Sequence, residues 1–200
     1  MKKTLKTLLL TLLFLIALAL FSNVKANSIS KISMDIYVDS YGTAHVTESW
    51  KCSASNGTEV YHPYYNLGNS QIQNLTVSDE TRTLFSWSTS GSLSSKAYKC
   101  GINKISDGVE LCWGISTYGS HTYTVKYNIT NFVSELSDGN QMIYWTLIPY
   151  DFSNTIGSVY IKIYADRYMP NTIDVWGYGN TGYTYVYDGY IEMDSDGKLP

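Results

Sequence analysis

The residue in this sequence with the clearest chemical potential is Glu48. Apolar and polar residues alternate with period two over residues 44–52, which predicts a β-strand with one face in a core. Glu48 falls on the apolar face, so a carboxylate stands in a row that is otherwise hydrophobic. The other members of this row are Ala44, Val46, Trp50 and Cys52.

An ionised carboxylate that leaves water costs several kcal/mol unless it is paired and hydrogen-bonded. We therefore expect Glu48 to meet Arg82, Lys126 or backbone donors, or to take up a proton. A structural buried carboxylate that holds strand register is the favoured role. The alternative is a general acid or cation ligand in a hydrolase, but no second carboxylate lies at a recognisable spacing.

A thiol nucleophile would need a cysteine and a histidine that meet in space. The nearest pairs along the chain are Cys52 with His62 and Cys112 with His121, and neither lies in a known motif. The sequence also lacks a serine elbow, an HExxH motif, a phosphate loop and metal-ligand spacing. These absences predict a protein with no catalytic residues, no metal and no cofactor, in which the cysteines are packed thiols.

Three cysteines are too few for a disulfide scaffold. A two-residue turn at residues 107–108 would place Cys112 opposite Asn103, which disfavours a bond from Cys112 to Cys100. We expect no disulfide, and a Cys52–Cys112 bond is the alternative.

Aromatic residues are abundant, with nineteen Tyr and five Trp, and they crowd the last third of the chain. Flat rings can stack on sugars while neighbouring polar groups bind the hydroxyls, so these residues form a candidate carbohydrate site. The competing interpretation is that Tyr and Trp simply suit strands. We predict that some of these rings are buried and that they form no continuous platform. The candidate ligand-binding residues are Trp176, Tyr178, Tyr183, Tyr185 and Tyr187.

The elements that must position these residues are predominantly β-strands. Period-two alternation is clearest in a hairpin of residues 32–38 and 44–52 and in residues 121–129 and 157–165. Residues 141–148 form a continuous apolar run, which is typical of a strand covered on both faces. The predicted core includes Ile36, Val46, Trp50, Val125, Tyr127, Trp145, Val159 and Ile161.

About eleven short strands separated by Gly, Asn, Asp and Ser predict an all-β fold. We expect a predominantly antiparallel β-sandwich, immunoglobulin-like or jelly-roll-like. Further candidate strands include residues 172–176, 183–187 and 189–193, and residues 130–136 give the best helix signal.

Residues 1–26 have the features of a signal peptide. A basic head precedes an apolar run over residues 8–21, which is shorter than the ~18 to 20 residues that span a bilayer. Val24-Lys25-Ala26 suits cleavage after Ala26, and an uncleaved anchor is the alternative. We therefore place the remaining chain outside the cytoplasm, secreted or at the cell surface.

Cleavage would leave a predicted domain over residues 27–193 and a polar tail over residues 194–200. The mature chain would keep ten of the fourteen basic residues and all seventeen acidic ones, for a net charge of about −7. Such a surface repels phosphate backbones, so nucleic acid is excluded as an expected partner. A cell-envelope protein or polysaccharide fits better.

Residues 39–50, Asp-Ser-Tyr-Gly-Thr-Ala-His-Val-Thr-Glu-Ser-Trp, resemble the opening of domain of unknown function family 2207. Residues 61–68, 71–77, 121–127, 142–145 and 156–159 are similar to that family in the same order. The resemblance implies an extracytoplasmic β-sandwich of a bacterial membrane protein, normally followed by a transmembrane segment, with no established catalytic residues. This chain shows no such segment, so we expect a fragment whose membrane attachment depends on a missing C-terminal segment.

Together these inferences predict a non-enzymatic, exported cell-envelope module of unknown ligand. A carbohydrate-binding module that uses the aromatic residues of the last third is the alternative function.

Overall fold

The described residues form thirteen β-strands and one short helix. The computed structural model describes residues 27–83, 85–86, 90–149, 152, 156–175 and 182–195. The helix is α1 (Leu93–Lys96), and Ser92 caps its N-terminus. The strands are β1 (Ser28–Val38), β2 (Ala44–Ala54), β3 (Glu59–Tyr65), β4 (Ile72–Ser78), β5 (Phe85–Ser86), β6 (Lys99–Ile105), β7 (Gly108–Gly114), β8 (Gly119–Ile129), β9 (Val133–Glu135), β10 (Gln141–Ile143), β11 (Ile156–Ala165), β12 (Tyr183–Tyr187) and β13 (Tyr190–Asp194).

Seven strands form the larger sheet, in the order β12-β13-β11-β1-β2-β8-β4. The predicted hairpin is present as β1 and β2, in which Ile36 lies opposite Val46 and Met34 lies opposite Glu48. The pair β1–β11 is parallel, and the other pairs in this sheet are antiparallel. β2 is therefore an interior strand, hydrogen-bonded on both sides, by β1 and by β8.

A four-stranded sheet has the order β3-β7-β6-β5, and β9 and β10 form a separate two-stranded sheet. The pair β5–β6 is parallel, whereas β3–β7 and β6–β7 are antiparallel. The predicted all-β fold is confirmed, and parallel pairs make both larger sheets mixed.

The inner faces of the two larger sheets share one hydrophobic core. Trp50 of β2 meets Trp113 of β7 edge to face, with ring centroids 5.2 Å apart. Among the predicted core residues, Trp145 and Val159 are half-buried and pack against this core. The other six are buried, namely Ile36, Val46, Trp50, Val125, Tyr127 and Ile161.

The prediction of a covered strand over residues 141–148 is wrong. Only Gln141–Ile143 is strand, and its neighbour Tyr144 is 75% exposed. The chain then leaves the sheet, because the Trp145 indole donates a 3.0 Å hydrogen bond to the Phe132 carbonyl and stacks on the Phe132 ring. Apolar residues here anchor an irregular segment to the core, which periodicity alone does not distinguish from a strand.

The weak helix signal over residues 130–136 is also wrong. Val133–Glu135 is strand β9, and it pairs with β10 in antiparallel register. The Phe132 and Val133 amides both donate to the Gly42 carbonyl, so tertiary hydrogen bonds hold this segment extended.

In the predicted strand of residues 172–176, residues 172–175 are irregular, and Trp176 lies outside the described residues.

All three cysteines are thiols. The turn between β6 and β7 lies one residue earlier than predicted, since Ile105 pairs with Gly108. Cys112 therefore lies opposite Gly101 rather than Asn103.

The predicted signal peptide, residues 1–26, and most of the predicted tail lie outside the described residues. The bounds of both stay a prediction. Within the described part of the chain, no helix has the length and apolar character needed to cross a bilayer.

Candidate functional site

Glu48 lies at the centre of a buried polar cluster between the two larger sheets. Its side chain is 0% exposed. The Trp50 indole N–H and the Tyr127 hydroxyl both donate hydrogen bonds to its carboxylate. His62 Nδ1 lies 3.1 Å from Oε1 and 3.2 Å from Oε2. Both carboxylate oxygens are therefore occupied by donors from protein side chains.

Strand geometry explains how these groups meet. Glu48 and Trp50 are two residues apart on β2, so they share the inner face. Tyr127 comes from the inner face of β8, which pairs with β2, and His62 comes from β3 of the opposite sheet. The cluster thus connects three strands across the core.

The hydrogen bonds of His62 determine where one proton lies. His62 Nε2 is 3.0 Å from the Leu147 carbonyl oxygen, which can only accept, so Nε2 carries hydrogen. Nδ1 faces the Glu48 carboxylate, and a hydrogen bond here also requires one hydrogen between Nδ1 and a carboxylate oxygen. The arrangement is satisfied by an imidazolium–carboxylate ion pair with 0% of either side chain exposed.

The pKa of Glu48 reflects two opposing effects. Burial alone acts to raise it, but the positive charge of His62 and the hydrogen bonds from His62, Tyr127 and Trp50 hold it below the usual value. Tyr64 completes the cluster through a 2.5 Å contact between its hydroxyl and that of Tyr127. Burial raises the pKa of both tyrosines well above the ordinary value, so these hydroxyls stay protonated.

The partners that the sequence suggested for Glu48 are not the ones it has. The Arg82 guanidinium lies over the Tyr98 ring, 4.1 Å from its centroid, and Lys126 is exposed on the other face of β8. His62 was named only as a partner of Cys52 and not of Glu48, although its period-two spacing with Tyr64 indicated a shared inner face. The structural role of Glu48 stays a prediction.

The two candidate thiol pairs are not formed as proposed. Cys52 lies opposite His121 on β8, whereas His62 is engaged by Glu48. Burial raises the pKa of the Cys52 thiol to about 12, and His121 Nε2 lies 2.8 Å from the Thr117 carbonyl oxygen. The arrangement lacks an activated thiolate, although both residues line a surface depression of about 350 Å³.

Burial, followed by the charge of Glu110, raises the pKa of Cys112 to about 12 as well. Among the described residues, no group of three or more metal-ligating side chains is placed to hold an ion.

Of the five candidate sugar-binding rings, Trp176 and Tyr178 lie outside the described residues. Tyr183, Tyr185 and Tyr187 lie on the outer face of β12, the side away from the core, and Tyr183 is 57% exposed. The other two rings are half-buried.

Strand register continues this aromatic surface into a row across the larger sheet. Tyr187 lies opposite Tyr190, Tyr190 opposite Tyr164, Tyr164 opposite Tyr37, and Tyr37 opposite His45. The ring centroids of Tyr187 and Tyr190 are 4.7 Å apart, and the ring planes are inclined by 22°. Two rings that lay side by side in one plane could not have centroids this close. Their faces therefore cover one another.

One further ring face and two of the hydroxyls in this row also have partners. The Lys162 ammonium lies 4.3 Å from the Tyr190 centroid. The Tyr164 hydroxyl donates a 2.9 Å hydrogen bond to Asp35, and the Tyr37 hydroxyl donates one of 2.5 Å to Asp166. This outer surface is thus largely satisfied by its own contacts. A shallow depression of about 390 Å³ on this surface is lined by Asp35, Lys162, Tyr164, Gly189 and Tyr190.

This chain spans only part of the length of the following solved structures that it matches. The yeast LTA4 hydrolase, solved in complex with bestatin, is 10% identical with a TM-score of 0.51, and the alignment covers 87% of this chain and 27% of the hydrolase. The M1 zinc metallopeptidase from Deinococcus radiodurans is 8% identical with a TM-score of 0.40, over 85% of this chain and 38% of the peptidase. At 10% identity, the hydrolase match supports the fold alone.

Sequence comparison gives the family. No curated protein matches this chain. A family model described as the N-terminal domain of a predicted membrane protein, domain of unknown function 2207, matches residues 28–196. Because this match covers most of the chain, the protein belongs to that family of predicted membrane proteins.

Proposed function

We propose that this chain is an exported, non-enzymatic β-sandwich module at the cell envelope, the ectodomain of a bacterial membrane protein. The observation that carries the proposal is that the Glu48 carboxylate is fully buried and fully hydrogen-bonded. A general acid must reach its substrate, and this carboxylate has 0% exposure and donors on both oxygens. Its contacts suit a group that joins strands.

The sandwich assignment is supported by the contacts between the larger sheets. Trp50 packs on Trp113, and Tyr64 lies 5.9 Å from Tyr127 between ring centroids, each pair joining one sheet to the other. The placement outside the cytoplasm is supported by the family description and by the signal-like residues 1–26.

A fusion of alkaline phosphatase after Ser195, expressed from Met1, is expected to be active, because that enzyme needs an oxidising compartment for its disulfides. The matched β-galactosidase fusion should be inactive. Deletion of residues 2–26 is the control and should abolish phosphatase activity. An active β-galactosidase fusion with an inactive phosphatase fusion would place the domain in the cytoplasm and refute the proposal.

A carbohydrate-binding module remains the second candidate function. The exposed Tyr183 ring and the depression beside Lys162 favour it, since a sugar needs an open ring and polar neighbours. The stacked faces of Tyr187 and Tyr190 count against it.

Titration with soluble cell-wall and plant polysaccharides is expected to give no saturable change in intrinsic fluorescence. A saturable response that Tyr185→Ala or Trp176→Ala abolishes would establish the carbohydrate alternative. Tyr41→Ala is the control, because this tyrosine is 91% exposed on the turn between β1 and β2. A response lost equally in the control would indicate non-specific binding.

A further inference from the structure

The edges of the two larger sheets differ in how they discourage pairing with another chain. Edge strand β3 contains Pro63, and β5 spans two residues in the described part of the chain. Edge strand β4 has a register irregularity between Gln73 and Thr76, with Asn74 at φ +58°. Proline, short length and bulges are common protections of an edge strand.

The fourth edge, β12, has none of these features. Its sequence is Tyr-Thr-Tyr-Val-Tyr, with no proline and no charge, and its register with β13 is regular over all five residues. Among the described residues, β13 is its one pairing partner. A regular, uncharged edge strand is a ready template for another strand.

The turn between β12 and β13 shows which backbone groups face outward. Tyr187 and Tyr190 flank a two-residue turn, so they form a hydrogen-bonded pair, and alternate residues of β12 point the same way. Tyr183, Tyr185 and Tyr187 therefore direct their backbone groups at β13. Thr184 and Val186 direct theirs at the open edge.

The pattern of β12 is self-complementary. If two copies pair antiparallel with Tyr185 opposite Tyr185, then Tyr183 lies opposite Tyr187, and Thr184 lies opposite Val186. This gives aromatic pairs on one face and β-branched pairs on the other, both of which are favourable cross-strand neighbours. The outward backbone groups of Thr184 and Val186 also fall opposite one another, as an antiparallel ladder requires.

We propose that β12 pairs with β12 of a second copy of this chain about a two-fold axis at Tyr185, which joins the two seven-stranded sheets into one. An isologous interface of this kind needs a surface that matches itself. In the dimer, the tyrosine side chains on the outer face of β12 also contact those of the second copy. Tyr183 is the most exposed of these side chains. The inference is independent of the proposed function.

Cysteine cross-linking tests the register. In the proposed dimer, residue 185 faces its own copy as a pair without direct hydrogen bonds, with the two Cα atoms about 4.5 Å apart. This distance suits a disulfide, so Tyr185→Cys in the full chain should give a covalent dimer on non-reducing gels under mild oxidation. Tyr183→Cys is the matched control, because residue 183 and its copy would lie about 13 Å apart.

Light scattering with size-exclusion chromatography tests the pairing itself. The full chain should have the mass of a dimer, and Thr184→Pro should weaken dimerisation about tenfold or more, because it removes an outward N–H from each copy. Thr184→Val keeps the N–H and should leave the dimer intact. Circular dichroism checks that each variant is folded.

A monomeric wild-type chain would overturn the proposal, even if the edge binds another protein. A folded Thr184→Pro chain that dimerises as tightly as the wild type would also overturn it. If Thr184→Pro does not fold, the cross-linking pair decides, and equal cross-linking of Tyr183→Cys and Tyr185→Cys, or no cross-linking at residue 185, counts against the two-fold register.

Discussion

Glu48→Ala is expected to lower the midpoint of thermal unfolding by about 6 to 20 °C. Removing one partner of a buried ion pair typically costs about 3–5 kcal/mol, because the other charge is left without compensation. Here the variant leaves His62 without its carboxylate partner and also removes the acceptor for the Trp50 and Tyr127 donors. In a domain of this size, each kcal/mol corresponds to about 2–4 °C. Differential scanning calorimetry measures the change.

Glu48→Gln should cost less than the alanine variant. The amide keeps the volume and one acceptor, and its NH₂ group can donate to a neutral His62, but the Trp50 indole then faces a donor. Glu135→Ala is the control, because Glu135 is exposed on β9, and it should change stability by less than about 0.5 kcal/mol. A Glu48→Ala protein as stable as this control would show that the cluster does not hold the sheets together.

The pH dependence of stability gives an independent readout of the same group. The pKa of Glu48 is lower in the folded chain than its usual value, so its ionised form stabilises the fold above the unfolded pKa of about 4.3. That contribution disappears as the pH falls through the lower, folded value. Denaturant titrations below pH 4.5 should therefore show a steeper loss of unfolding free energy in the wild type than in Glu48→Gln. Parallel curves would contradict the low folded pKa.

Trp50→Ala is expected to destabilise the chain by about 3–5 kcal/mol, the usual range for a buried large aromatic residue. Trp50 has 0% exposure, and its ring centroid lies 5.2 to 5.6 Å from those of Trp113, His62 and Phe152. Its loss opens a cavity where the larger sheets meet and removes one donor to Glu48. Urea denaturation followed by circular dichroism measures the change.

Trp50→Phe separates packing from hydrogen bonding. Phenylalanine keeps much of the aromatic volume but has no N–H, so we expect a smaller loss than in Trp50→Ala, of about 1–3 kcal/mol from the unsatisfied Glu48 oxygen and the residual gap. If both variants lose the same free energy, the indole hydrogen bond rather than the ring volume dominates at this position.

Local pattern was sufficient to predict most of the strands. Along β1, β2 and β8, one residue in two must face the core, so the alternation of apolar residues gives both the strand and its inner face. The same argument placed Glu48 on the inner face, although it carries a charge. This information is encoded within a few neighbouring residues, which is why it can be read without knowing what lies opposite.

Long-range pairing was not predictable in the same way. The parallel pair β1–β11 brings together residues more than 120 positions apart, and nothing in either strand specifies the other. Tyr144 and Leu147 belong to one apolar run, yet Tyr144 is exposed and Leu147 is buried, because β10 ends at Ile143 and the segment that follows is irregular. Apolar composition favours burial in general, whereas the surrounding elements decide which residues are covered.

The partners of Glu48 show most clearly which features depend on the local sequence and which on the tertiary structure. The sequence by itself determined that a carboxylate would stand on the inner face of β2 and would need donors there. Only the packing of the two larger sheets decided that the donors are Trp50, Tyr127 and His62 rather than Arg82 or Lys126. The physical reason is that the cost of burying a charge belongs to one residue, while its compensation depends on side chains that the tertiary fold brings within hydrogen-bonding distance of it.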